Sequence, residues 1–411
     1  MTPELCHLWR AAAFGPRPAA SYEAAVQSLL AWPDDRPVTS PPFSTLLPPG
    51  ITLGIIEIGR LIQWWVDEMV ATPWPLREKM VLFWHGHFTT SADPVFSAGL
   101  LLHQNQLFRS LALGRFEDLL TAVTLNPAML VYLDGKENRR AHPNENYARE
   151  LMELFTVGIG HYTEKDVKEA ARALTGWKLG GLDGHAVFDP AAYDDGDKQF
   201  MTLRGRLGMS DVIHHLATHP ATAERLCSRL YRFCSGLDPS PAERGRLTQV
   251  FQATRGHVGA VVRQLLLGDE FRRARGGWRS PIECVVHAAQ VLDRPLSRLT
   301  WIGDMQRMGQ VPFLPPSVKG WDDGAAWINT STLLERVNWA SRLAQHPPAG
   351  FVDLLDSPEG VPELLLRLGL ADASASTRQT LETLAQQTPD RCQRATRVLT
   401  AALASPDFQL K

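Results

Sequence analysis

Segment after segment of this chain repeats its apolar residues every three to four positions, and almost none alternates them in twos. "YEAAVQSLLAW", "LREKMVLFWHGHF", "RFEDLLTAV", "TEKDVKEAARALTGW", "ATAERLCSRLYRF", "GAVVRQLLLGDEFRRA", "PIECVVHAAQVL" and "NTSTLLERVNWASRLA" each draw one apolar stripe along a helix. Such stripes bury themselves by helix-on-helix packing and leave little from which to build a sheet. The fold class is therefore all-α, a large helical domain with long irregular loops. Several helix starts carry their own caps: Thr163 precedes "EKDV", with Glu164 and Asp166 in the first turn, and Asn329 and Thr330 open "STLLERVN".

At 411 residues the chain is longer than a usual single domain. Proline-rich breaks at 33–50 and 312–316 read as extended connectors, and the Gly- and Asp-rich stretch 179–208 is the longest irregular segment. A loop of that length in a helical domain points to function or mobility. The breaks divide the chain into N-terminal helices with a connector (1–50), a main helical domain (51–345) and a candidate C-terminal helical subdomain (346–411).

Charge excludes some partners. Lys plus Arg (42) nearly balance Asp plus Glu (44), so no global field draws in nucleic acid or acidic lipid. The five cysteines form no CxxC pair and are odd in number, which fits buried thiols in a reducing compartment. "MTPELCHLWRAAAFG" lacks a basic start followed by an apolar run, and no later stretch approaches the ~18 apolar residues that span a bilayer. A soluble, cytoplasmic protein without membrane insertion is expected.

Charges gather in "PNENYARELMEL" (143–154). With Asn144 as N-cap and Gly158 just past the end, a helix through Val157 puts Glu145, Arg149 and Glu153 on one face, where Arg149 can bridge both carboxylates. Glu150 lies about 100° round from Arg149, towards the flank of Tyr147 and Leu154, where a carboxylate needs a cation, a metal or hydrogen-bond donors. In "FWHGHF" (83–88), an extended or turning backbone would put His85 and His87 on one side, and two imidazoles with one or two carboxylates form a recurring metal set. Alternatively the two histidines are hydrogen-bonded at a helix end. "FDPAAYDDGDK" (188–198) crowds Asp194, Asp195, Asp197 and Lys198 but lacks the spacing of an EF-hand, so a solvated acidic loop is its plainer reading. Around 315–338, Trp321, Asp322, Asp323, Trp327 and Asn329 surround a Gly-containing turn that could line a ligand cleft or brace helix junctions. The chain has no Walker loop, no GxGxxG, no GxSxG and no HExxH, which removes the common nucleotide, dinucleotide and protease chemistries.

Taken in order, "LREKMVLFWHGHFTTS", "NPAMLVYLDGKEN", "PNENYARELMELFTVGIGHYTEKDVKEAARALTGW", "HPATAERLCSRLYRF", "PPSVKGWDDGAAWINTSTLLERVN" and "SPDFQL" resemble domain-of-unknown-function family 1800, a bacterial family. The resemblance spans nearly the whole chain. It implies no settled activity, and a partner protein encoded nearby that is similar to exported phosphatases or sulfatases. The matching positions in this chain are Trp84, His85, His87, Asn126, Asp134, Asn144, Glu145, Arg149, Glu150, Glu153, Gly158, Glu164, Asp166, Trp177, Gly320 and Trp321. Where the family pattern has a His-Asp pair followed by Gly and Lys, this chain has Tyr193, Asp194, Gly196 and Lys198, so a ligand expected at the first of these is replaced by tyrosine.

Two functional readings follow. In the first, an oxidative or hydrolytic enzyme binds a transition metal (iron, zinc or copper) between 84–88 and 144–153. His85, His87 and Glu153 are then ligands, Glu150, Arg149 and Glu145 catalytic residues, and Trp84, Tyr193, Asp194 and Trp321 line a cleft for a small-molecule substrate. In the second, the same polar groups hold together a non-catalytic scaffold or maturation partner of the neighbouring protein. Convergence of His85, His87 and a carboxylate in a cavity that water can enter favours the first, and histidines capped by backbone carbonyls with Arg149 sandwiched between Glu145 and Glu153 favour the second.

Overall fold

The structure, a computed structural model, describes residues 2–32, 51–180, 185–292 and 300–411, so the expected connector at 33–50 lies outside the described residues. The helices that position the site are α1 (Pro3–Ala12), α2 (Ile51–Ala71), α3 (Pro75–His87), α4 (Ala98–Leu111), α5 (Asn146–Glu150), α6 (Glu164–Ala173), α7 (Pro220–Ser235), α8 (Pro281–Val291), α9 (Thr330–Ala344), α10 (Ala375–Gln387) and α11 (Arg391–Ala404). Buried side chains from Leu8 to Phe408 form one apolar cluster.

At its centre lies α3. Pro75 opens it at a position that needs no N–H, and every residue of the helix except Gly86 is buried. An all-apolar helix could occupy this place without cost, but α3 carries Glu78, Lys79, His85 and His87, and each must find a partner out of water. The Glu78 carboxylate accepts Nε and Nη2 of Arg109 on α4, both at 2.7 Å, and the Trp65 indole N–H from α2 at 3.1 Å. Lys79 donates to Glu283 on α8 and to the Arg10 carbonyl of α1 at 3.3 Å. Burial lowers the Lys79 ammonium to about 8 even though the Glu283 charge raises it. Burial works against the Glu283 carboxylate as well, but the Lys411 and Lys79 ammoniums hold it at about 2. Both groups are thus charged at neutral pH.

The cap at Thr163 forms a complete capping box with Asp166, and Asn329 caps α9 by accepting from the Thr332 N–H at 2.9 Å. Within 179–208, expected to be irregular, two hairpins occur. β1 (Trp177–Gly180) pairs antiparallel with β2 (His185–Phe188), and β3 (Lys198–Phe200) with β4 (Leu203–Gly205). Strands of three or four residues are too short to announce themselves by alternation. The helices after residue 346 pack back on the rest: α11 lies against α9 and α10, Leu410 bridges to Trp278, and Gln409 accepts from Arg336 of α9. Cys6, Cys227, Cys234 and Cys284 are buried free thiols, and Cys392 is an exposed one. Among the described residues, no helix is long and apolar enough to cross a membrane.

Because Glu78 is fully out of water, Arg109→Leu leaves its carboxylate with only the Trp65 N–H and the more distant Arg77 Nε, at 3.6 Å, in place of a two-pronged ion pair. We expect it to cost about 3–5 kcal/mol in chemical denaturation, with most of the loss recovered in an Arg109→Leu, Glu78→Leu double variant. A single-variant loss under about 1 kcal/mol would mean that water reaches the pair.

Candidate functional site

The helical path of α3 through His87 decides what its two histidines can do. Residues two apart on an α-helix point about 200° away from each other, so the rings leave opposite sides of the helix instead of sharing one ion. The expectation of a shared ligand pair required an extended or turning backbone, which Gly86 does not produce. His85 Nε2 accepts the Phe313 N–H at 2.9 Å, and its ring meets Trp65 edge-on with centroids 5.2 Å apart. Phe313 has a φ of 65°, a costly conformation for an aromatic residue, and is held in it by His85 on its N–H and by the Ala92 N–H on its carbonyl at 2.8 Å. His87 points the other way, its Nε2 donating to the Phe155 carbonyl at 3.0 Å. Burial drives His85 to about 3. It also drives His87 well below the ordinary range, helped by the Arg229 and Arg225 charges and opposed by the Phe155 carbonyl. Both are neutral struts at physiological pH.

"PNENYARELMEL" folds in two parts. α5 gives way after Glu150 to a single π-helical turn, Leu151–Phe155, and not to the continuous α-helix that the spacing suggests. Asn144 accepts the Asn146 N–H at 2.9 Å, close to the capping role expected of it. Arg149 grips Glu164 of α6 with both terminal nitrogens, at 2.7 and 2.8 Å, and reaches Glu145 at 3.4 Å. Glu153 is not part of this ladder. The wider π register turns it away, and it accepts the Tyr162 hydroxyl at 3.0 Å. Glu150 is half-buried and its carboxylate has no hydrogen bond among the described residues; burial first, then the Glu153 charge, raises its pKa against the lowering effect of Arg149. Among the described residues, no group of three or more His, Cys, Asp or Glu side chains is placed to hold a metal ion.

The 193–198 loop is stitched internally. Asp194 takes Arg172 of α6 at 2.8 and 3.2 Å and the Gly196 N–H at 3.0 Å. The buried Lys198 ammonium donates to the Asp194 and Gly196 carbonyls at 2.6 and 2.9 Å and lies over the Tyr193 ring. Tyr193 donates to the Leu207 carbonyl at 3.3 Å. The Lys198 ammonium is thus spent within the loop, and the Tyr193 hydroxyl on Leu207. Trp84 is likewise spent, buried with its indole N–H on the Ala112 carbonyl at 2.9 Å.

Of the residues expected to line a cleft, Trp321, Asp322, Asp323 and Trp327 do so, and Trp84, Tyr193 and Asp194 do not border it. Gly320, with a φ of 87°, lies so close to the end of α3 that a Cβ would fall 2.8 Å from the Gly86 carbonyl. The turn is thereby seated on the one residue of α3 that is not buried. Beside it opens a cleft of about 100 Å³, walled by Gly86 and Phe83 of α3, Arg229 and Arg232 of α7, Glu283, Lys411 and three tryptophans, Trp278, Trp321 and Trp327. The arginines were not among the residues singled out from the sequence. Their signal is in "ERLCSRLYRF", where Arg225, Arg229 and Arg232 recur at i, i+4 and i+7 along one face.

A family model described as "Protein of unknown function (DUF1800)" matches residues 7–410. No curated protein and no solved structure matches the chain.

The buried histidines set a pH dependence. A histidine whose folded pKa lies near 3, against about 6.5 unfolded, contributes its full stability above pH 6.5 and loses it as pH falls towards 3, because the unfolded chain then binds the extra proton. His85→Gln, whatever its effect at pH 7, should therefore flatten the stability–pH slope between pH 6 and 4 by about 1.4 kcal/mol per pH unit. Parallel slopes for the two proteins in denaturant titrations would show that His85 is not held neutral.

Proposed function

We propose that this chain, which belongs to the DUF1800 family of proteins of unknown function, is a helical binding scaffold whose working surface is the cleft between Trp321 and Arg229. One observation carries this reading: His85 and His87 each give a ring nitrogen to the main chain of a different segment, Phe313 and Phe155. The "FWHGHF" motif is then a clasp that holds the 312–316 connector to one side of α3 and the π turn to the other. Gly86 is left facing the cleft.

The same reading gives the other motifs a purpose. The Arg149–Glu164 pair ties α5 to α6, and the Gly320 turn brings Trp321 to the cleft mouth. Docking of a partner protein, which the family resemblance implies, is supported by Leu333, Leu334 and Val337, three exposed apolar side chains on α9 just beyond Trp327. A metal enzyme built on His85, His87 and Glu153 has weaker support, because the two rings diverge and Glu153 is engaged by Tyr162.

Metal analysis of protein purified without chelator or metal-affinity resin tests the reading, with a His85→Ala, His87→Ala variant alongside. We expect no stoichiometric transition metal in either protein. Thermal stability of the variant should fall by an amount corresponding to about 1–3 kcal/mol for each strut removed. Near-stoichiometric metal in the wild type, lost from a variant that still folds, would contradict it.

A further inference from the structure

Carboxylates in and around the cleft are already matched. Glu283 meets both Lys79 and Lys411, Asp322 meets Lys319 at 3.0 Å, and Asp323 faces Arg232 at 3.8 Å, which also holds Asp238. Arg229 is the cation left over. It is partly buried at the wall of the cleft, and no carboxylate among the described residues comes within ion-pair distance of it. Its one polar contact is Nη2 to the Gly86 carbonyl at 3.5 Å, the outer limit of a hydrogen bond, which leaves Nε and Nη1 without a protein partner among the described residues.

One turn earlier on the same face of α7, Arg225 donates to the Leu154 carbonyl at 3.2 Å, keeps its Nε buried without a partner, and also lacks an ion pair among the described residues. Like charges at i and i+4 repel, and burial increases the cost. Two adjacent guanidiniums, one open to a small cleft, are the arrangement that an oxyanion would neutralise, and a guanidinium fork matches two oxygens of a tetrahedral anion. A space of about 100 Å³ is enough for one such group.

We propose that the cleft binds a compact tetrahedral oxyanion, phosphate or sulfate, with Arg229 as its principal ligand and Arg225 reinforcing the local field. The anion arrives either free or as the terminal group of a monoester whose organic part lies against Trp321. The proposal rests on the binding-scaffold reading above. Its test does not use the histidines or metal content, so the two can fail separately. Burial, with the charges of Arg225 and Arg232, lowers the Arg229 pKa to about 10 against the opposing effect of Asp323, which is consistent with a cation lacking its counter-ion.

Thermal unfolding of the full chain would be followed against inorganic phosphate, inorganic sulfate and phenyl phosphate, with chloride holding ionic strength constant. Variants Arg229→Gln, Arg229→Lys and, as a control on an exposed lysine of α6, Lys168→Gln would be run in parallel. Non-specific salting effects of these anions do not saturate and act on every variant alike. The proposal expects a saturable rise in Tm for wild type and Lys168→Gln. The midpoint should move to higher anion concentration by about tenfold or more in Arg229→Gln, and by less in Arg229→Lys, which keeps the charge but not the fork. Phenyl phosphate acting at lower concentration than inorganic phosphate would identify an ester as the occupant, and equal midpoints would identify the free ion. No saturable shift in the wild type, or the same midpoint in folded Arg229→Gln, would overturn the proposal.

Discussion

A helix buried on every face cannot carry polar side chains unless each of them is answered from inside the protein, and α3 carries Glu78, Lys79, His85 and His87. Their partners come from six separate parts of the chain: Arg10, Trp65, Arg109, Glu283, Phe313 and Phe155. The cost of burying these groups unpaired therefore sets where α1, α2, α4, α8, the 312–316 connector and the π turn must lie around α3. Apolar packing supplies most of the cohesion, but it is non-directional and would accept several arrangements. Hydrogen bonds to fixed atoms do not.

Much of this was open to inspection in the sequence, and what was not has identifiable causes. Helical periodicity over tens of residues marked the all-α class, and the side-chain caps at Thr163 and Asn329 marked two helix starts, because both signals are local. The geometry of "FWHGHF" is not local. An extended or turning backbone was expected there, yet Gly86 lies within a helix and its missing side chain opens space towards the cleft. The π turn after Glu150 has no residue signature of its own, so Glu153 looked like a rung of a ladder from which an extra residue per turn removes it. Tyr193 and Asp194 were expected to line a cleft, but their loop closes on its own Lys198 and on Arg172 of α6, which composition alone cannot bring to it.

The cleft exists because of that framework. Trp321 reaches it only because Gly320 accepts a left-handed conformation against the Gly86 carbonyl, where any Cβ would collide. Arg229 and Arg225 approach from α7 and help to keep His87 neutral, so the cations of the binding wall and the strut of the framework are electrostatically linked. A protonated His87 would both lose its place in the core and add to an already uncompensated positive charge. The scaffold and the binding surface are in this sense one electrostatic unit.

The tautomers of His85 and His87 are the most direct reading of this arrangement. Long-range nitrogen–proton NMR of the imidazole rings at pH 6, assigned with His85→Gln and His87→Gln, should find both rings neutral and each in one form. His85 should carry its proton on Nδ1, because Nε2 accepts from Phe313, and His87 on Nε2, because that atom donates to Phe155. An imidazolium signal, a mixture of tautomers, or ring nitrogens shifted by a coordinated metal would contradict the central role of α3 as the helix that fixes its neighbours.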